Sequence, residues 1–424
     1  MTLKQMLQHP RVSGVMQAFA LICCLLGARP LAAQTFYVCS GNNTTTTSQL
    51  DFTDGSLQTS AIDSITIDVP AGQRFVGGDI SLLPTYEEHG AKYFDQQGQA
   101  LDNVLAFVKE QGWNAARVRL FVDPSKASAT DRGQGVRQDL DYVATLGRRI
   151  KEAGMLFMLD FHYSDSWADP AKQWTPAAWL ALTDEQLATQ LYDYTRECLQ
   201  RMNAEGASPD FIQTGNEISY GMLWGKQGTT ANRCYMGSDD GWPRFGRLLK
   251  QACRACREVC PRAKIVIHTE RAGQASVLKN FYQQMQRQGV DYDIIGLSYY
   301  PYYHGSLSTL SASLSMLERD FGGRQVMIVE TGCAYHYQVG DDDTGYPLTY
   351  EGQRSFTADL IATLRQHGAV SGLFWWFPEA NEYGLGGSYW SQLHVNDAWY
   401  NAGLWDHETG RATPALYELK TFLQ

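Results

Sequence analysis

From residue 75 onward, hydrophobic and polar positions repeat as one unit. A short apolar run is followed by a polar stretch, then by a segment whose apolar residues recur at helical spacing. The apolar runs predict buried strands at 75–78, 116–122, 155–159, 211–213, 264–267, 294–297, 326–329 and 371–376. Amphipathic helices are predicted between and after them, at 101–111, 140–153, 184–205, 245–259, 275–288, 307–320, 351–367 and 414–422. Strands and helices alternating in this way predict an α/β protein, a (β/α)8 TIM barrel whose chemistry sits at the C-terminal ends of the strands. A doubly wound open sheet fits less well, because no glycine-rich phosphate loop follows the first strand.

The residues ahead of the barrel have a different pattern. Lys4 and Arg11 precede an apolar run at 15–26, and Leu31-Ala32-Ala33 supplies small residues for cleavage. That is the form of an export signal over 1–33, so an exported protein (periplasmic, cell-surface or extracellular) is predicted. The run is short for a membrane span. Cys23 follows Ile22, a poor neighbour for a lipid-attachment site, so free export is favoured over lipid anchoring. Residues 34–74 form a lead-in expected to pack on the barrel, with a half-buried strand in the alternation Ser64-Ile65-Thr66-Ile67-Asp68-Val69. The catalytic domain is expected over 75–424.

Composition narrows the partners. With 424 residues, 44% hydrophobic and 19% charged, the chain can build one large core. A net charge of -10 argues against a nucleic-acid partner and fits a soluble protein acting on a neutral ligand; a monomer is expected. The aromatic content, 11 Trp and 23 Tyr, suits both core filling and a sugar-binding cleft. Of the 9 Cys, Cys253, Cys256 and Cys260 fall on one helical face. A packed small-residue face is expected there rather than a metal cluster, since no His-rich segment accompanies them.

The candidate chemistry lies at the predicted strand ends. Strand four ends in Gly215-Asn216-Glu217, and strand seven ends in Glu330. Two carboxylates facing each other across one pocket are what glycosidic bond cleavage needs: a proton donor for the leaving oxygen and a second group for the anomeric carbon. Around them stand Asp160, His162 and Trp167 after strand three, Tyr299, Tyr300 and His304 after strand six, and Trp375-Trp376 on strand eight. This composition of acids and aromatic walls is that of a saccharide cleft. Arg119 on strand two is expected to be buried and to pair with Glu330. Asp160 and His162 read either as a satisfied core pair or, His162 with Asp165 and Asp169, as a metal site. Alternation along the strand sends one of Trp375 and Trp376 to the core and the other to the cleft.

Six blocks resemble the signatures of glycoside hydrolase family 53, the endo-β-1,4-galactanases: GGDIS at 77–81, RVRLFVDP at 117–124, DFHYSDSWADP at 160–170, TGNEI at 214–218, IIGLSYYPYYHG at 294–305 and VETG at 329–332. The resemblance implies a retaining mechanism on β-1,4-galactan or arabinogalactan without a cofactor, with Glu217 as acid/base and Glu330 as nucleophile. It also implies supporting roles for Asn216, Arg119 and the Tyr299–Tyr300 pair, and stacking by Trp376. Joined to the strand-end reading, the substrate-binding set becomes Arg119, Asp160, His162, Trp167, Asn216, Tyr299, Tyr300, His304 and Trp376. Bacterial members carry structural calcium after strand seven; Asp341-Asp342-Asp343 is acidic there, but the His and Asn of that motif are not matched. The chain also departs from the family in Cys333-Ala334-Tyr335-His336 after VETG and in Phe377-Pro378 where Glu-Pro is usual. A mannanase or cellulase with the same two Glu roles, a non-catalytic glycan-binding barrel and a metal-dependent hydrolase are the alternative readings.

Overall fold

The structure, a computed structural model, describes residues 72–337, 344–386 and 401–424. The export signal, the lead-in up to residue 71 and Asp341-Asp342-Asp343 lie outside the described residues. Eight parallel strands close into a barrel in chain order: β1 Phe75–Asp79, β2 Ala115–Leu120, β3 Leu156–Phe161, β4 Phe211–Thr214, β5 Lys264–Thr269, β6 Ile294–Tyr299, β7 Gln325–Thr331 and β8 Val370–Trp376. β1 pairs with both β2 and β8, so the barrel has no free edge. Gly77 permits that closure. A Cβ there would stand 1.9 Å from the carbonyl oxygen of Ala115.

Helices form where the 3.6-residue pattern and the end signals agree. Asp184–Ala204 begins with a reciprocal cap, in which Thr183 accepts from the Gln186 amide and Gln186 reaches back to the Thr183 amide. Trp242–Val259 starts earlier than its apolar pattern suggests, because Pro243 sits in the first turn, where a missing N–H costs nothing. Leu83–Glu88, Ala129–Gly133 and Pro301–His304 were not foreseen; segments so short carry no readable period.

Two apolar layers hold the barrel. The outer faces of the strands pack against the helices in one large cluster. Inside, Phe75, Ala115, Leu156, Met158, Phe211, Val266, Ile294, Met327, Val329 and Phe374 fill the N-terminal half of the barrel. Cys253, Cys256 and Cys260 are buried free thiols, two within Trp242–Val259 and the third as its C-cap. Burial pushes Cys253 up to about 12 and Cys260 up to about 11, which suppresses the thiolate.

Register controls which side chains enter the barrel. Between β6 and β7 the pairing jumps from Leu297↔Ile328 to Ser298↔Glu330. Val329 is the extra residue of this bulge and still packs inside the barrel. Glu330, its neighbour, therefore also faces inward, which strict alternation would forbid.

Candidate active site

Above the apolar half, the inward positions become polar. Asp79, Arg117, Asp160, Gln213, His268 and Ser298 are all buried to within 1%. Arg117 is the hub. Its guanidinium lies 2.7 Å from Asp79, 2.8 Å from Asp160 and 2.9 Å from Glu330 Oε1, and donates to Asn216 Oδ1 at 2.9 Å. The expected Arg119–Glu330 pair is thus replaced by Arg117–Glu330. Arg119 sits one layer higher, meets Asp79 at 3.3 Å and lies under the Trp167 ring at 4.5 Å. Both arginines face inward, so their depth, which the sequence pattern does not encode, decided the partner.

Glu217 and Glu330 face each other from β4 and β7. A carboxylate oxygen of each, with a ring nitrogen of His268, lies within 4.8 Å of the others. Gly215, at φ +101°, starts the turn, and Glu217 itself adopts φ +49°. A non-glycine residue in that region is strained, and such strain collects at functional sites.

Glu330 Oε2 accepts from the Tyr300 hydroxyl at 3.1 Å. Burial pushes the Glu330 carboxyl up to about 7, against the pull of Arg117. Burial, then Glu330 and Glu270, raise Glu217 well above the usual carboxylate range. Glu217 has no cation partner among the described residues, whereas Glu330 touches one. Of the two, Glu330 ionises first and Glu217 retains the proton.

The cleft above the pair encloses about 240 Å³ and is walled by Trp167, Trp376 and Tyr300, with His162, Asp169, Lys172, Asn216 and Gln134 along its edge. Trp375 is fully buried and donates to the Ala402 carbonyl, while Trp376 opens on the cleft. Besides Arg119, buried under Trp167, three residues of the expected binding set stand outside the cleft lining. Tyr299 points out of the barrel, donates to the Gly305 carbonyl and stacks near Phe356, as alternation beside the inward Ser298 requires. His304 accepts from the Tyr300 amide and braces that loop. Asp160 lies beneath the cleft, where Arg117 and His162 outweigh the cost of burial and lower its pKa.

The donor set drawn up for a metal is already engaged. His162 donates to Asp160 at 3.1 Å and accepts from Ala168, while Asp165 accepts from the Asp123 and Ala177 amides. Asp169 accepts from Ala171 and Lys172. Arg117, Ser298 and His268 had no assigned role from sequence. Their signal is period two: each shares the inward parity of its strand with a residue of the apolar interior.

The profile of glycosyl hydrolase family 53 matches residues 75–419. The chain belongs to this family. It is a glycoside hydrolase. It is 30% identical to the endo-β-1,4-galactanase of Bacillus subtilis, over 80% of this chain and 84% of that one. It is 32% identical to arabinogalactan endo-β-1,4-galactanase A of Emericella nidulans, over 77% of this chain and 91% of that one. Among solved structures, the family 53 catalytic domain of Ignisphaera aggregans superposes with a TM-score of 0.72 at 32% identity, covering 84% of this chain and 98% of that domain.

Proposed function

We propose that the enzyme is an exported, retaining endo-β-1,4-galactanase. The observation that carries the mechanism is the approach of the Glu217 and Glu330 carboxylate oxygens to within 4.8 Å. That upper bound is compatible with the roughly 5 Å separation of retaining enzymes and short of the about 6.5 Å or more that inverting enzymes need to admit a water. The substrate follows from the galactanase relatives.

In the first step a Glu330 oxygen attacks the anomeric carbon. The glycosidic C–O bond breaks, its electron pair goes to the leaving oxygen, and Glu217 delivers its proton there. Arg117 and the Tyr300 hydroxyl hold Glu330 as the carboxylate. In the second step water attacks the same carbon and gives a proton to Glu217, while the ester electron pair returns to Glu330. Asn216, its amide fixed by Arg117 and the Ala168 carbonyl, would hold the sugar 2-OH. Trp376 would stack on the ring at the cleavage site.

Export rests on the residues at 1–33; no helix among the described residues is long and apolar enough to cross a membrane. The test of the function is product analysis on linear β-1,4-galactan over time. The expected result is a spread of oligosaccharides in the earliest digests, released first as β-anomers. Galactose alone from the first time point would exclude an endo mode, and α-anomers first would exclude retention.

A further inference from the structure

A side chain that the two-carboxylate mechanism does not use stands between Glu217 and Glu330. Ser298 Oγ lies 2.7 Å from Glu217 Oε1, 3.4 Å from Glu330 Oε2 and 2.8 Å from His268 Nε2. Among the described residues no other side chain donates to the Glu217 carboxylate.

His268 fixes the direction of that hydrogen bond. The ring is fully buried, and burial, with Arg117 nearby, keeps it neutral. A neutral imidazole carries one ring proton. The Glu217 amide points at Nδ1 from 3.3 Å, and an N–H can only donate, so Nδ1 supplies a lone pair. Asn216 Oδ1 is 3.0 Å from the same nitrogen but already accepts from Arg117 and Gln213. The proton therefore belongs on Nε2, which donates to Ser298 Oγ. The serine oxygen is held by His268, and its single hydrogen is left for a carboxylate.

We propose that Ser298, oriented by His268, is a positioning residue for the second step, donating to Glu217 when Glu217 is the ionised base. The inference rests on the retaining reading above. The charges that weigh most on Glu217 work against its ionisation: Glu330 from β7, Glu270 after β5 and Asp169 after β3, while the cleft-edge Lys172 is paired with Asp169 at 3.6 Å. Arg117 from β2 and Tyr300 after β6 serve Glu330 instead, and Asp160 is bound to Arg117. Once Glu330 is an ester it no longer competes for the serine hydrogen, and the negative charge resides on Glu217. Ser298 is then the donor in place to stabilise it.

The test uses an aryl β-1,4-galactobioside with a dinitrophenolate leaving group, which needs no acid in the first step. In Ser298→Ala, kcat/KM for this substrate should match wild type, because it reports formation of the glycosyl-enzyme. The second step should slow roughly tenfold or more, the factor that goes with one hydrogen bond to a charged group. kcat and KM should then fall together, a burst of phenolate should appear, and azide, which needs no base, should restore turnover. Without its donor Glu217 reaches the base form at higher pH, so the acidic limb of the second step should move upward. Ser298→Cys, close in volume but a weak donor, should repeat the pattern and provides an independent variant if the alanine protein folds poorly. A folded variant in which kcat and kcat/KM fall equally, with no burst and no azide rescue, would overturn the proposal, as would wild-type kinetics. If a slow fluorinated glycoside fails to label Glu330 in the wild-type protein, the retaining reading fails and the second-step role falls with it; normal labelling together with wild-type kinetics in Ser298→Ala would overturn the role of Ser298 alone.

Discussion

The two halves of the barrel interior are built from the same strands at alternate inward positions, yet they are held by opposite physics. Toward the N-terminal ends, Phe75, Met158, Phe211 and Met327 exclude water and close by packing. Toward the C-terminal ends, Asp79, Arg117, Asp160, Gln213 and Glu330 form a buried charged layer. Burying charge is unfavourable unless each group is paired and hydrogen-bonded. Here one guanidinium serves three carboxylates, so the layer is compensated only as a unit. The difference separates stability from chemistry: the apolar half supports the fold, and the charged half fixes the protonation states of two carboxylates.

The sharpest way to break this comparison is to remove each carboxylate. Glu330→Ala should reduce galactan hydrolysis to background, and azide in the vacated space should convert an activated β-galactoside to the α-azide. Glu217→Ala should lose about 10² to 10⁴-fold on galactan and far less on activated substrates, with azide giving the β-azide. Reversed azide products would exchange the two roles. Full activity of both variants on galactan would place the chemistry elsewhere.

A second comparison sets the two halves directly against each other. Arg117→Met takes the guanidinium from buried Asp160 and Glu330 and leaves Asp79 with Arg119 alone, at a cost of about 3–5 kcal/mol in stability. Met158→Ala leaves a cavity in the apolar half, at about 2–5 kcal/mol. Chemical denaturation should therefore rank them as near equals. Turnover of the folded fraction should not: Arg117→Met should lose about 10² to 10³-fold in kcat, since the group that holds the nucleophile ionised is gone. Met158→Ala should keep its kcat. Equal kcat losses in the two variants would mean that the interior acts as one unit and that the division is false.

How much of this was legible in the sequence follows the same division. The barrel was, because strand and helix periods are local and the strand ends fall beside Glu217, Glu330 and Trp376. The three-dimensional depth of each strand was not. Arg117 and Arg119 have the same parity, and only the stagger of β2 against β3 and β7 decides which one meets Glu330. Tyr299 could have been excluded from the cleft by alternation beside Ser298. Glu330 shows the reverse case, since alternation beside the inward Val329 would have turned it away, and a bulge between paired strands leaves no mark in either strand alone.

The tyrosine pair tests that lesson with a smaller effect. Tyr300→Phe removes a donor to the Glu330 carboxylate, worth about 1.5–3 kcal/mol for a charged acceptor, so kcat should fall roughly tenfold or more. Tyr299→Phe removes a bond to the Gly305 carbonyl on the other side of the strand. It should cost about 1 kcal/mol of stability and leave kcat unchanged. A kcat loss in the Tyr299 variant as large as in the Tyr300 variant would restore the paired role expected from sequence.

The smallest effect concerns the edge of the charged layer, where Glu379 is fully buried beside Asp79 and Arg119. Its Oε1 accepts from the Leu82 amide at 2.7 Å, and Oε2 has no partner. Burial first, and Asp79 second, push this carboxyl up to about 8. The folded-state value is raised above the unfolded one, so the protonated form is favoured by folding. Its contribution is complete below the ordinary carboxylate range and is lost as pH rises toward about 8. Glu379→Gln copies the neutral form at every pH. Its unfolding midpoint should match wild type only below the ordinary carboxylate range, exceed it increasingly as pH rises from there to about 8, and keep a constant lead above that. The apolar half offers the control, because Met158→Ala should shift the midpoint by the same amount across that window. If the Glu379→Gln and wild-type curves stay parallel with pH, the carboxyl ionises in its ordinary range and the charged layer ends at Asp79.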